Sequence, residues 1–243
     1  MKNLFLSIFV LVFLLMTVSA GDNSAGKFYT QGDVKKPFFA LTFDDGPGYI
    51  TMDLLKLLEK YGVKASFFML GSAVKTYPER AQAVAKGGHL VCNHTYAHKN
   101  YFKLDKLPDR KKILELEVLK AQKEIEEASG VRPVFLRMPN GYNRGWLAEV
   151  ASKNGYVLVN WTYGSDWTKI SEDKMTDQYL KNLAPGAILL LHDGGGKVKE
   201  KNLRIVEKLL LEAQKKGLKA VRLDELLGIV QVTGNQLPVN VVK

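Results

Sequence analysis

A parallel α/β fold is the architecture the sequence predicts, and three observations carry it. Past residue 35, short apolar or β-branched runs alternate with longer amphipathic stretches, as in a parallel sheet with helices outside it. The short runs are nearly continuous hydrophobes, which suits strands buried on both faces. Glycine closes several helical stretches just before the next strand, at Gly62, Gly87, Gly130, Gly155 and Gly217, the expected C-terminal stop. An open doubly wound sheet and a closed or distorted barrel both satisfy this pattern.

The expected strands are, in order, "FFALTF", "KASFFML", "GHLVCN", "PVFLRM", "YVLVNW", "GAILLLH" and "LKAVRL". Helix-like segments lie between them: "TMDLLKLLEKYG", "YPERAQAVAKGG", "DRKKILELEVLKAQKEIEEASG", "GWLAEVASKNG", "EDKMTDQYLKNLA" and "NLRIVEKLLLEAQKKG". Residues 1–20 stand apart. Lys2 is their only charge, "LFLSIFVLVFLLM" is an unbroken apolar core, and "VSA" ends on small residues. That is the layout of a secretory signal peptide, with cleavage expected after Ala20. It implies export to a periplasm or the extracellular space, with membrane contact only in transit. Residues 21–35 read as a polar leader, 36–228 as one domain, and 229–243 as a tail or last strand.

Cys92 is the only cysteine, so no intramolecular disulfide can form, and its apolar surroundings predict a buried thiol. The formal charge of +10 favours anionic polymers only weakly. Many lysines alternate with acids at helical spacing, as on solvated helix faces. No nucleic-acid partner and no protein partner is implied.

In parallel α/β folds, chemistry collects at the carboxyl ends of strands. The first strand here ends in "LTFDDGPGYIT", two adjacent carboxylates before a Gly-Pro break. Turn chemistry alone would explain that stretch. The other strand ends change the balance. They carry His94 and His98, then Arg137 to Tyr142, then Trp161, Asp166 and Trp167, then His192 and Asp193; only His89, of four histidines, lies at a strand start. If the chain after His94 makes a helical turn, both rings of "HTYAH" point the same way and can share a metal with one carboxylate. The other aspartate is then free as a base for water made acidic by the ion, and His192 can serve as the acid for a leaving group. The pattern is that of a hydrolase.

The ordered set "TFDDGP", "HTYAH", "RMPNGY", "SDW" and "LLLH" resembles the five motifs of the polysaccharide deacetylases, carbohydrate esterase family 4 or the NodB-homology domain, over roughly residues 36–226. The resemblance implies a distorted parallel (β/α) barrel of about seven strands and metal-dependent N-deacetylation of a polymeric N-acetylated glycan. By the same resemblance Asp44 is the base, Arg137 orients it, and His192 is the acid. Asp45, His94 and His98 hold one divalent ion, commonly zinc. Leu189 and Leu191 shape an apolar pocket, Trp167 walls it, and Pro139, Asn140, Gly141 and Tyr142 face the sugar.

Two positions depart from the family pattern. Asn140 stands where an aromatic is usual, and Tyr142 is the expected compensation. Tyr163 stands where an aspartate usually tunes the acid histidine, which leaves Asp166 or Asp193 for that task. Peptidoglycan N-acetylglucosamine is the first expected substrate and chitin-type oligosaccharide the alternative. A weakened glycan-binding protein on the same scaffold, or another small-molecule metallohydrolase, are the remaining readings.

Overall fold

The computed structural model describes residues 24–195 and 200–229. The expected signal peptide lies outside the described residues, as does all of the expected tail beyond residue 229. The strands are β1 (Phe28–Tyr29), β2 (Phe38–Gly46), β3 (Ser66–Met69), β4 (Leu90–Asn93), β5 (Phe135–Leu136), β6 (Val157–Val159), β7 (Tyr163–Gly164), β8 (Ile188–His192) and β9 (Lys219–Ala220). All their pairings are parallel. The helices are α1 (Thr51–Lys60), α2 (Gly71–Thr76), α3 (Pro78–Lys86), α4 (Tyr101–Leu104), α5 (Arg110–Ser129), α6 (Leu147–Lys153), α7 (Glu172–Lys181), α8 (Lys201–Lys215) and α9 (Leu223–Leu227).

The strand order is β1-β6-β5-β4-β3-β2-β8-β7, with β9 on the N-terminal end of β2. β6 pairs with β5 and β1, and β7, three residues further on, pairs with β8. One stretch of chain therefore touches both ends of the strand series, and the sheet curls into a distorted (β/α) barrel. Among the described residues it has nine strands rather than about seven. The two additional ones, β1 and β7, are each two residues long. β1 falls in the segment expected to be a polar leader: Phe28 and Tyr29 pair with Leu158 and Val159.

Strand alternation sorts the side chains. Leu41 and Phe43 of β2, with their partners Leu189 and Leu191 of β8, pack outward against Leu54 and Leu58 of α1 and Ile205 and Leu209 of α8. Ala40, Phe68, Cys92, Phe135, Val157 and Ile188 form a second cluster with Leu223 and Leu226 of α9. Thr42 and Asp44 pair with Leu190 and His192, so these four share the other face of β2 and β8. That is how the fold turns a hydrophobic sheet into a polar site at its carboxyl edge.

Candidate active site

The double aspartate has a backbone explanation. The register of β2 on β3 shifts between Asp44 and Gly46, and Asp45 takes a left-handed conformation, φ 67°. A bulge of this kind turns an extra residue out of the strict alternation, so adjacent carboxylates reach one cavity. The cavity measures about 360 Å³ and is lined by Asp44, Asp45, His94, His98, Asn140, Gly141, Trp161, Trp167, Leu190 and His192.

His94 and His98 meet without the expected helical turn. Residues 94–98 form a bend, with Thr95 at φ 67° and His98 at φ 50°. The bend is pinned from outside: the Thr95 amide donates to Asn93 Oδ1 at 2.8 Å and the Ala97 amide to Glu117 Oε2 at 2.9 Å. The His94 and His98 Nε2 atoms each lie 3.5 Å from Asp45 Oδ1. That oxygen is buried and has no hydrogen-bond partner among the described residues. One ligand atom from each residue lies within 4.8 Å of the others. The Nδ1 of His94 sits 2.8 Å from the Arg137 carbonyl. A carbonyl can only accept, so Nδ1 carries the proton and Nε2 offers its lone pair. Burial, ahead of all other causes, lowers the His94 pKa to about 3, which keeps the ring neutral. An orphaned carboxylate oxygen between two imidazole nitrogens fits a divalent cation of the zinc type.

Asp44 is held differently. Its Oδ1 accepts from Arg137 at 2.7 Å. Arg137 is fully buried and also donates to Thr42 Oγ1 and to the carbonyls of Val159 and Asn160. Burial raises the Asp44 carboxyl above its ordinary value, against the pull of Arg137 and His192.

Across the cavity, His192 Nδ1 lies 2.9 Å from Asp166 Oδ1, and the His192 amide donates to Asp166 Oδ2 at 2.8 Å. Burial works against protonation of His192. The hydrogen bond and charge of Asp166, with Asp44 and Asp45 behind it, outweigh burial and lift the ring to about 9. Asp193 does not share that contact. It is buried behind the site, accepts the Thr51 hydroxyl and donates its amide to the Asp44 carbonyl; burial first, then Asp45 and Asp44, raise its carboxyl to about 7.

Four expected sugar contacts need correction. Tyr142 is fully buried, its hydroxyl donates to Asp105, and its ring packs among Tyr101, Phe102 and Trp146. Pro139 is buried as the start of a tight turn and does not line the cavity. Leu189 and Leu191 point into the outer core, and the leucine on the cavity wall is Leu190. Period-two alternation back from His192 could have identified it. Trp161, marked in the sequence at its strand end but given no role, is the other wall residue, its indole lying 2.7 Å from where a Cβ on Gly141 would stand. Trp167 stands edge-on to both Trp161 and His192, and Asn140 takes a left-handed φ of 58° at the rim.

A curled parallel barrel with paired proton-transfer groups and an Asp-His-His cluster in one cavity defines a hydrolase. The polysaccharide deacetylase family profile matches residues 31–159. A peptidoglycan-N-acetylglucosamine deacetylase of Bacillus cereus is 30% identical over 198 residues, 81% of this chain and 70% of that protein. A chitooligosaccharide deacetylase of Rhizobium leguminosarum bv. trifolii is 37% identical over 161 residues, 63% of this chain and 70% of that protein. The crystal structure of the Bc1960 peptidoglycan N-acetylglucosamine deacetylase superposes with a TM-score of 0.77 at 28% identity, covering 85% of this chain and 95% of that one. The chain belongs to the polysaccharide deacetylase family.

Proposed function

We propose that the protein is exported and removes acetyl groups from N-acetylglucosamine units of peptidoglycan, hydrolysing the acetamide to a free amine and acetate. The observation that carries this reading is the split between neighbours: Asp45 leaves an unpartnered oxygen 3.5 Å from two imidazole nitrogens, while Asp44 is tied to Arg137. Asp45, His94 and His98 would hold one divalent ion, zinc by donor type. Such an ion, when bound, supplies Lewis acidity, polarising the amide carbonyl and lowering the pKa of water.

The protein's own groups do the rest. Asp44, raised by burial, takes the proton of the attacking water. Arg137 fixes the carboxylate and pulls its pKa down against the effect of burial. The Gly141 and Tyr142 amides donate within their turn, so the Asn140 amide is the loop donor assigned to the developing negative charge on the acetamide oxygen. His192 enters protonated, held so by Asp166, and gives its proton to the sugar nitrogen as the C–N bond breaks. Leu190, Trp161 and Trp167 line the wall where the acetyl methyl would sit.

The signal-peptide pattern of residues 1–20 and the peptidoglycan deacetylases among the relatives support the wall polymer as substrate. The test is acetate release by residues 21–243 from peptidoglycan and from chitooligosaccharides, with chelated protein alongside. Metal-dependent release favouring peptidoglycan is expected. Preference for the oligosaccharides would replace the substrate, and no release from either would overturn the activity.

A further inference from the structure

Asp166 is itself held by a residue outside every motif that marks the site. Asn202, in the first turn of α8, is buried. Its side-chain amide donates to Asp166 Oδ2 at 2.7 Å and to the His192 carbonyl at 2.9 Å. Both partners are acceptors, so the NH2 end must face them. Among the described residues the amide oxygen has no hydrogen-bond partner, and the side chain acts as a double donor. The neighbouring Lys201 donates from Nζ to the Asp166 carbonyl at 2.8 Å. The first turn of α8 thus grips both partners of the acid pair. Asp166 Oδ2 receives the His192 amide and Asn202 and lies 3.1 Å from His192 Nδ1, while Oδ1 makes the shorter contact to that nitrogen, 2.9 Å.

We propose that Asn202 is a positioning residue for the acid: by tying Asp166 Oδ2 to the backbone of His192, it sets the orientation of the carboxylate that serves the ring and how much of its charge the ring feels. This rests on the assignment of His192 as the acid. A donor to an ionised carboxylate stabilises its charge. Without Asn202 more of the Asp166 charge falls on the imidazole, and the ring holds its proton more tightly. The other titratable or charged groups facing the pair are Asp44 and Asp45 from β2, Asp193 beside His192, Tyr179 from α7 and Lys201 from α8; none changes in the variants.

The test is an NMR titration of the His192 ring in the zinc-loaded wild-type protein, Asn202→Leu and Asn202→Ala, with the alkaline limb of kcat measured in parallel. The smaller variant covers a failure of Asn202→Leu to fold. The expected result is a His192 midpoint raised by about one pH unit, a lower kcat and an unchanged KM. A midpoint that stays or falls, whatever the loss of thermal stability, overturns the proposal. A midpoint that rises while the kcat limb stays in place leaves the Asn202 tie standing and removes His192 as the acid.

Discussion

The two halves of the cavity solve the same placement problem by different means. On the side of Asp45, His94 and His98, the backbone does the aiming: Asp45, Thr95 and His98 all have positive φ. Each such conformation costs on the order of 1 kcal/mol or more, and the surrounding hydrogen bonds must hold it. On the side of Asp166 and His192, the groups lie at ordinary φ and are aimed by hydrogen bonds from His192, Asn202 and Lys201. The contrast follows from what each half must do. Asp45 has to leave the strand alternation that Asp44 follows, and His94 and His98 have to turn to one point, neither of which regular strand geometry allows. A proton donor needs a tuned pKa, which hydrogen bonds and charge supply.

The largest effect is expected at Asp44. Asp44→Asn keeps the side-chain shape and the contact to Arg137 but removes the base, and should lower kcat by about a hundred- to ten-thousandfold. Steady-state acetate release measures it. Arg137→Met should act on stability as well, because the change strands a buried carboxylate. A loss of about 3–5 kcal/mol is expected, read from urea unfolding.

Asp166→Asn addresses the other half. With protonated His192 as the proposed acid, wild-type kcat should fall as pH rises through about 9. Burial alone lowers the ring's pKa. Without the Asp166 charge, the limb should therefore move down to about 6.5 or below, while metal content stays constant. The smallest effect is expected at Asn140→Gly, where φ is 58°. Glycine adopts that conformation freely, so thermal unfolding should change by only about 1 kcal/mol or less. The change should appear in KM, since the side chain lines the cavity.

Much of this was legible in the residues. Hydrophobic runs and glycine stops marked seven strands, and polar residues at strand ends marked the cavity. β1 and β7 were not legible, because two-residue strands carry no periodicity and Phe28–Tyr29 sits among glycine, lysine and glutamine. Tyr142 misled because its partner, Asp105, lies 37 residues earlier; no local pattern shows that its ring is claimed by the core. The histidine spacing suggested a helical turn, whereas the bend is held by Asn93 and by Glu117 on α5. Asn202 was silent for the same reason, since its role exists only where α8 meets β8.

In the proposed function adjacent aspartates divide the work, Asp45 for the ion and Asp44 for the proton. Bound metal per chain in Asp44→Asn and Asp45→Asn tests it directly. The prediction is about one zinc ion retained in Asp44→Asn, as the three-residue site requires, and the ion lost in Asp45→Asn. Loss from Asp44→Asn with retention in Asp45→Asn would contradict it.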